Sequence, residues 1–196
     1  MYDFANSGYT TVVLTAVFAA YFVGGVAGGA PWATFAWTAT LAASSALVML
    51  TMPALGAWAD LRAAKKQALA VSTVGCVLCT AGLALVGPGD LWLAVAFVLL
   101  SNLSFSWGEA LIAAFLPELA RPASLGKVSG WGWSFGYLGG MLTLGLSLAW
   151  VLSAQARGET ASQFVPVTMA ITAVVYALAA ITTFVLLRER AVPQPQ

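Results

Sequence analysis

Histidine is absent from this chain of 196 residues, and cysteine occurs twice. The first absence excludes His-ligated haem, His-based metal centres and every Ser/His or Cys/His catalytic pair. Both cysteines, Cys76 and Cys79, lie inside an apolar run, where the CxxC spacing reads as small packing side chains and not as a redox or zinc motif. Charge is scarce as well, at 8% of residues. So few bases build no surface for nucleic acid. A phosphate-cradling glycine loop is missing, and so are closely spaced carboxylates at bilayer depth that would serve as acid and base. Neither an enzyme nor a nucleic-acid-binding protein is expected, and no cofactor or metal is called for.

Apolar side chains, in contrast, are abundant: 61% of residues are hydrophobic and the mean hydropathy is +0.90. A soluble domain of this size needs a charged surface that eight bases and seven acids cannot supply, whereas a chain solvated by lipid needs charge only in its loops. Measured against the ~20 residues that cross a bilayer, six spans fall at roughly 4–26, 33–58, 67–86, 91–116, 125–153 and 164–187. The expectation is therefore an all-α, polytopic membrane protein. Residues 1–190 form the transmembrane domain, and 191–196 begin a tail or connecting loop in which Pro193 and Pro195 oppose a further helix. The first run has no basic flank and further spans follow it, so it reads as a span and not as a cleaved signal peptide.

The placement of charge sets an expected orientation. Arg62, Lys65, Lys66, Arg121, Lys127, Arg188 and Arg190 fall on one side of the six spans and Arg157 alone on the other, which puts both termini in the cytoplasm. Trp58, Trp92 and Trp150 sit near span ends, where an amphipathic ring settles at headgroup level.

Polar residues inside or beside the spans mark the candidate functional positions. Asn102, Ser106 and Glu109 share one helical stripe with Ala113. Glu109 lies about six residues to the cytoplasmic side of its span's centre, roughly 9 Å by helical rise and still within hydrocarbon. An ionised carboxylate there costs at least about 2.5 kcal/mol, so Glu109 either faces a polar pathway, where it attracts a cation or carries a proton, or is a protonated structural donor. On the first helix Asn6 and Thr10 form one polar stripe, and Ser7, Thr11 and Thr15 another. Either can line a pathway or serve packing, and Asp3 can be an N-cap. Gly132, Gly136 and Gly140, with Gly139 adjacent, remove bulk along one face of the fifth helix, for close packing or for a sliding surface. Pro53 in the second span reads as a kink. Between the second and third spans, Gly56 and Asp60 precede Arg62, Lys65 and Lys66. A topology anchor explains those bases but not the acid; a carboxylate at a membrane boundary suits a latch that pairs in one conformation and releases in another.

That loop resembles the one joining the second and third helices in the major facilitator superfamily, with Ala63 and Ala64 standing where Gly and Arg are usual. YDFANSGYTTVV at Tyr2 to Val13, FLPELA at Phe115 to Ala120 and GKVSGWGWSFGYLGG at Gly126 to Gly140 follow in order. Together these segments resemble the autophagy-related vacuolar amino-acid effluxers and their bacterial relatives. The resemblance implies one half of a twelve-helix fold, built as two inverted three-helix repeats. It implies alternating-access movement of a small polar solute such as an amino acid, a role for the first-helix motif near the substrate path or cytoplasmic gate, and residence in a bacterial inner membrane. The partners it implies are the lipid bilayer, the solute and a second six-helix half, supplied by the same chain's continuation, a second copy or a separate chain. The alternative is a non-transporting membrane module, a remnant or an assembly subunit, whose polar stripes serve packing alone.

Overall fold

A computed structural model describes residues 1–119 and 124–187. Six of its helices are long and apolar enough to cross a membrane: α1 (Tyr2–Val26), α2 (Ala33–Leu61), α3 (Lys65–Leu85), α4 (Leu91–Ala114), α5 (Leu125–Ala156) and α6 (Ala161–Leu186). The described residues contain no β-strand. Each expected span is present, with ends displaced by three residues at most. The earlier start of α6 has a local cause. Thr160 and Gln163 form a capping box, with the Thr160 backbone N–H donating to Gln163 Oε1 at 2.8 Å, which satisfies amides that the first turn leaves open. Arg121, Arg188 and Arg190, Ala120 of the FLPELA segment, and the expected tail at 191–196 lie outside the described residues.

The helices pack in a pattern with internal symmetry. α1 runs along α5 and against α6, α4 runs along α2 and against α3, and α3 meets α6. Exchanging α1, α2 and α3 for α4, α5 and α6 maps this set of pairs onto itself. Counterparts separated by three spans run in opposite directions, so the two triplets are inverted repeats, as in one half of a major facilitator fold. α2 and α5 occupy equivalent places and are the least covered, with 11% and 28% of their most apolar windows buried. Pro53 sits exposed inside α2, which continues past it as helix to Leu61.

Two seams hold the triplets together, each by different means. Along α1 and α5, three α1 residues four apart, Asp3, Ser7 and Thr11, lie over Gly132, Gly136 and Gly140 in matched register. A methyl added at Gly136 would stand 2.9 Å from Ser7 Oγ, and one at Gly140 would stand 3.2 Å from Thr11 Oγ1. Two helices with the same four-residue repeat can approach this closely only where one lacks side chains. Along α2 and α4 the seam is hydrogen-bonded: Asn102 Nδ2 donates to Ser44 Oγ at 3.1 Å and Trp107 Nε1 to Thr51 Oγ1 at 3.0 Å. A buried network ties α1 to α3 and α6. Thr73 gives its proton to the carbonyl of Leu69, so Tyr2 donates to Thr73 Oγ1 at 2.9 Å. Tyr176 donates to Asn6 Oδ1, also at 2.9 Å. Cys76 is buried in the core and Cys79 half-buried, both as free thiols.

Candidate functional site

α1, α4 and α5 line a half-open cavity of about 390 Å³. α1 contributes Asp3, Asn6, Ser7, Thr10 and Thr11; α4 contributes Phe105 and Glu109; α5 contributes Trp133 and Tyr137 above the glycine faces of Gly136 and Gly140. A second cavity of about 470 Å³ adjoins it and shares Asp3, Glu109 and Trp133. Ser129, Gly132 and the carboxyl end of α6 line this outer chamber, at the end of the bundle that carries Lys65 and Lys127. A third, of about 490 Å³, shares Leu144 with the first and continues between α1 and α5 toward Gln155. The three form a trough along the α1–α5 seam, polar at one end and apolar at the other.

The local structure of α1 changes where the cavity lies. From Thr10 to Ala16 it is a π-helix, and from Phe22 to Val26 it is π again. A π turn inserts an extra residue, widens the helix and rotates the side chains that follow. Thr10 Oγ1 returns its proton to the carbonyl of Asn6 at 3.0 Å, and Thr15 Oγ1 donates to the carbonyl of Thr10, also at 3.0 Å. Both hydroxyls are thus spent on backbone carbonyls of α1 itself.

The structure brings Asn6, Thr10 and Glu109 to one cavity. Glu109 is exposed to it, and Asn6 is buried with its carboxamide oxygen held by Tyr176. Asn102 is elsewhere: its amide is spent on Ser44 in the α2–α4 seam. Ser106 is half-buried and outside the lining of these chambers. The Ser7 and Thr11 stripe lies over the glycine face of α5 and reaches the cavity edge. Asp3 is not an N-cap. Met1 holds that position, and Asp3 lies in the first turn with a carboxylate oxygen against Gly132. Asp3 was legible as the first member of the stripe that continues through Ser7 and Thr11, and Trp133 and Tyr137 as an aromatic pair four apart on α5.

The charged loop is built as a compact turn. Lys65 Nζ lies 3.2 Å from Asp60 Oδ1, Arg62 stacks 5.6 Å from the centre of the Trp58 ring, and Lys66 Nζ donates to the carbonyl of Leu187 at 2.7 Å. The last contact ties the α2–α3 turn to the carboxyl end of α6, where a cation complements the helix dipole. Ala63 adopts φ +49°, a left-handed conformation that favours glycine, which is the residue usual at this place in the superfamily loop. Among the described residues, α2's own backbone aside, no atom lies within 4 Å of a methyl built on Gly56, so no described helix approaches closely there. On the opposite end Arg157 covers Trp150 at 5.1 Å and pairs with Glu159 at 2.7 Å. Trp58 and Trp92 are exposed at their helix ends.

Six apolar helices in inverted triplets, with a trough along the α1–α5 seam that is polar at one end, define a polytopic membrane protein with one half of a major facilitator fold. The family model described as "Vacuole effluxer Atg22 like" matches residues 32–196, and the chain belongs to that family. A relative from Bacillus subtilis (strain 168), the uncharacterized MFS-type transporter YxiO, is 32% identical over 161 residues. The aligned region covers 80% of this chain and 37% of YxiO, so the chain matches well under two thirds of its relative's length. No solved structure matches the chain. The family match begins at α2, so the α1 wall of the cavity stands on its own geometry.

Proposed function

We propose that this chain is one half of a secondary transporter that moves a small polar solute, of the size and polarity of an amino acid, across a bacterial inner membrane by alternating access. Both termini lie in the cytoplasm, and Gly56, Asp60, Arg62, Lys65 and Lys66 belong to a gating loop on that side. One observation carries the reading: a cavity of about 390 Å³ in the membrane-spanning bundle, lined by the polar side chains of Asp3, Asn6, Ser7, Thr10, Thr11 and Glu109. Polar groups are expensive in hydrocarbon, and a folding helix gains nothing by turning them toward a void. A second six-helix half placed over α2 and α5 closes the trough into a path, since these helices are the least covered. In this fold the solute lies between halves, so a single copy of this half does not transport. Amino acids as the solute rest on the family alone.

The test is a cysteine in place of Thr10, with Cys76 and Cys79 replaced by Ala, reconstituted with a second half. Labelling by an impermeant thiol reagent is expected from one face at a time, and added amino acid shifts the ratio between faces. Glu109→Gln should keep the fold and cut uptake sharply, because it removes the charge at nearly equal volume. Equal labelling from both faces under all conditions, with uptake unaltered by Glu109→Gln, would instead indicate a structural module.

A further inference from the structure

We propose that the cavity takes the cationic nitrogen of an organic ammonium solute, held between the carboxylates of Asp3 and Glu109 and against the rings of Trp133 and Tyr137. This rests on reading the cavity as a solute path, and it names the chemistry of what travels there. Asp3 and Glu109 border both the inner and the outer chamber; among the described residues no Lys or Arg lines either, and Met1, with its amino group, lines only the outer one. In the inner chamber the two carboxylates therefore have no counter-charge among the described lining residues, and a low-dielectric wall magnifies their attraction for a cation.

The aromatic wall decides which cation. Trp133 borders both chambers, Tyr137 borders the inner one, and their rings meet edge to face with centroids 6.0 Å apart. Their faces carry negative quadrupole charge and suit a weakly hydrated alkylammonium. A sodium ion would take oxygens alone, which Asp3, Glu109, Ser7, Thr10 and Thr11 also carry, and would leave the aromatic wall unused, so the exchange of sodium for potassium separates the two cations. Asn6 adds a second recognition element. It is 6% exposed and borders the cavity, its carboxamide oxygen accepts from Tyr176 at 2.9 Å, and its amide N–H₂ has no partner among the described residues. That amide is a donor waiting for an acceptor oxygen near the cation. The ligand therefore combines an ammonium group with a hydroxyl or carboxylate oxygen a few bonds away. A net anion is excluded by the two acids.

Choline serves as the probe, and 3,3-dimethylbutan-1-ol, its uncharged isostere, as the control. Binding of each to the chain reconstituted with a second half, in a maltoside detergent, is measured by titration calorimetry. Choline should bind at least about tenfold more tightly than the isostere. Asp3→Asn with Glu109→Gln should weaken choline by about tenfold or more and leave the isostere unchanged, and Trp133→Leu should weaken choline severalfold. Equal affinity for the two ligands in the unaltered chain, or no choline binding, overturns the proposal whatever the variants do. A large loss of choline affinity when sodium chloride replaces potassium chloride at equal ionic strength assigns the acids to an inorganic cation and also overturns it. The transport reading fails separately. Alternating accessibility at Thr10→Cys without choline binding removes only the ammonium site, whereas choline binding with fixed accessibility removes only the transport cycle.

Discussion

Gly139→Ala tests whether the α1–α5 seam is as tight as the glycine register implies. A methyl at this position runs into the carbonyl oxygen and carbon of Phe4, which are backbone atoms and have no rotamer to escape into. At Gly136 a methyl meets Ser7 Oγ at 2.9 Å and the Asp3 carbonyl at 3.1 Å, so the side chain can turn aside and the helix need give only slightly. At Gly145, on the same helix, no atom of the described residues outside α5's own backbone lies within 4 Å of such a methyl. Gly145→Ala therefore shows the intrinsic helix benefit of Ala over Gly, about 1 kcal/mol of stabilisation. Gly139→Ala carries the same benefit but forces α1 back by roughly 1 Å, and overpacking of this kind costs about 1–3 kcal/mol. The two sites should thus differ by about 1–3 kcal/mol, or about 2–12 °C in melting temperature at the ~2–4 °C per kcal/mol usual for this chain length. Thermal unfolding in detergent, followed by a thiol-reactive dye that reads exposure of buried Cys76, orders the series. Gly145→Ala should melt highest, Gly136→Ala lower and Gly139→Ala lowest. Coincident melting of Gly139→Ala and Gly145→Ala would refute the close seam and with it the shape of the cavity wall.

Ala63→Gly should raise the melting temperature slightly, because the left-handed strain of about 1 kcal/mol exceeds the added freedom of the unfolded chain; a lower melting temperature would contradict the turn geometry. Asn102→Leu should weaken the α2–α4 seam by about 0.6–2 kcal/mol and leave solute binding unchanged, read by unfolding and calorimetry on one preparation. Asp60→Asn should cost at most about 1 kcal/mol of stability, since the Asp60 side chain is exposed, yet shift the balance of Thr10→Cys labelling between faces in the reconstituted pair. In sealed cells both termini should resist an impermeant reagent, while a cysteine beside Arg157 should react.

The spans were legible because lipid imposes one strong requirement, a long apolar run between charged turns, and this chain satisfies it six times. The glycine spacing on α5 was equally plain, yet what it receives was not, since Gly132, Gly136 and Gly140 gain meaning only from the matching Asp3, Ser7 and Thr11 on a helix more than a hundred residues away. The stripe on α4 shows how periodicity misleads within a bundle. Asn102, Ser106 and Glu109 share a helical face by spacing, but that face is divided between neighbours: α2 takes Asn102, and Glu109 is left open to the cavity. The π turns of α1 were invisible because a one-residue change of hydrogen-bond register leaves composition and hydropathy untouched.

The inverted repeat also explains why the polar wall is one-sided. α1 and α4 hold equivalent places and both border the cavity, but their seams differ: α1 lies on bare glycine, while α4 is hydrogen-bonded to α2 through Asn102 and Trp107. A seam of hydrogen bonds resists sliding because each bond has one register, whereas a glycine face offers van der Waals contact that changes gradually as one helix moves along the other. The network through Tyr176, Asn6, Tyr2 and Thr73 ties α1 to α3 and α6, and the Tyr9 hydroxyl, 2.8 Å from Ser101 Oγ, ties it to α4. Displacing α1 along its glycine track would carry Asp3 and Asn6 past Glu109 and would have to break that Tyr9–Ser101 bond while α4 stays on α2. Tyr176→Phe removes the hydroxyl that holds Asn6 and leaves the ring in place, so it should lower stability by about 1 kcal/mol and increase labelling of Thr10→Cys from the face that is closed at rest. Unchanged labelling with lowered stability would show that the network anchors the fold without restraining α1.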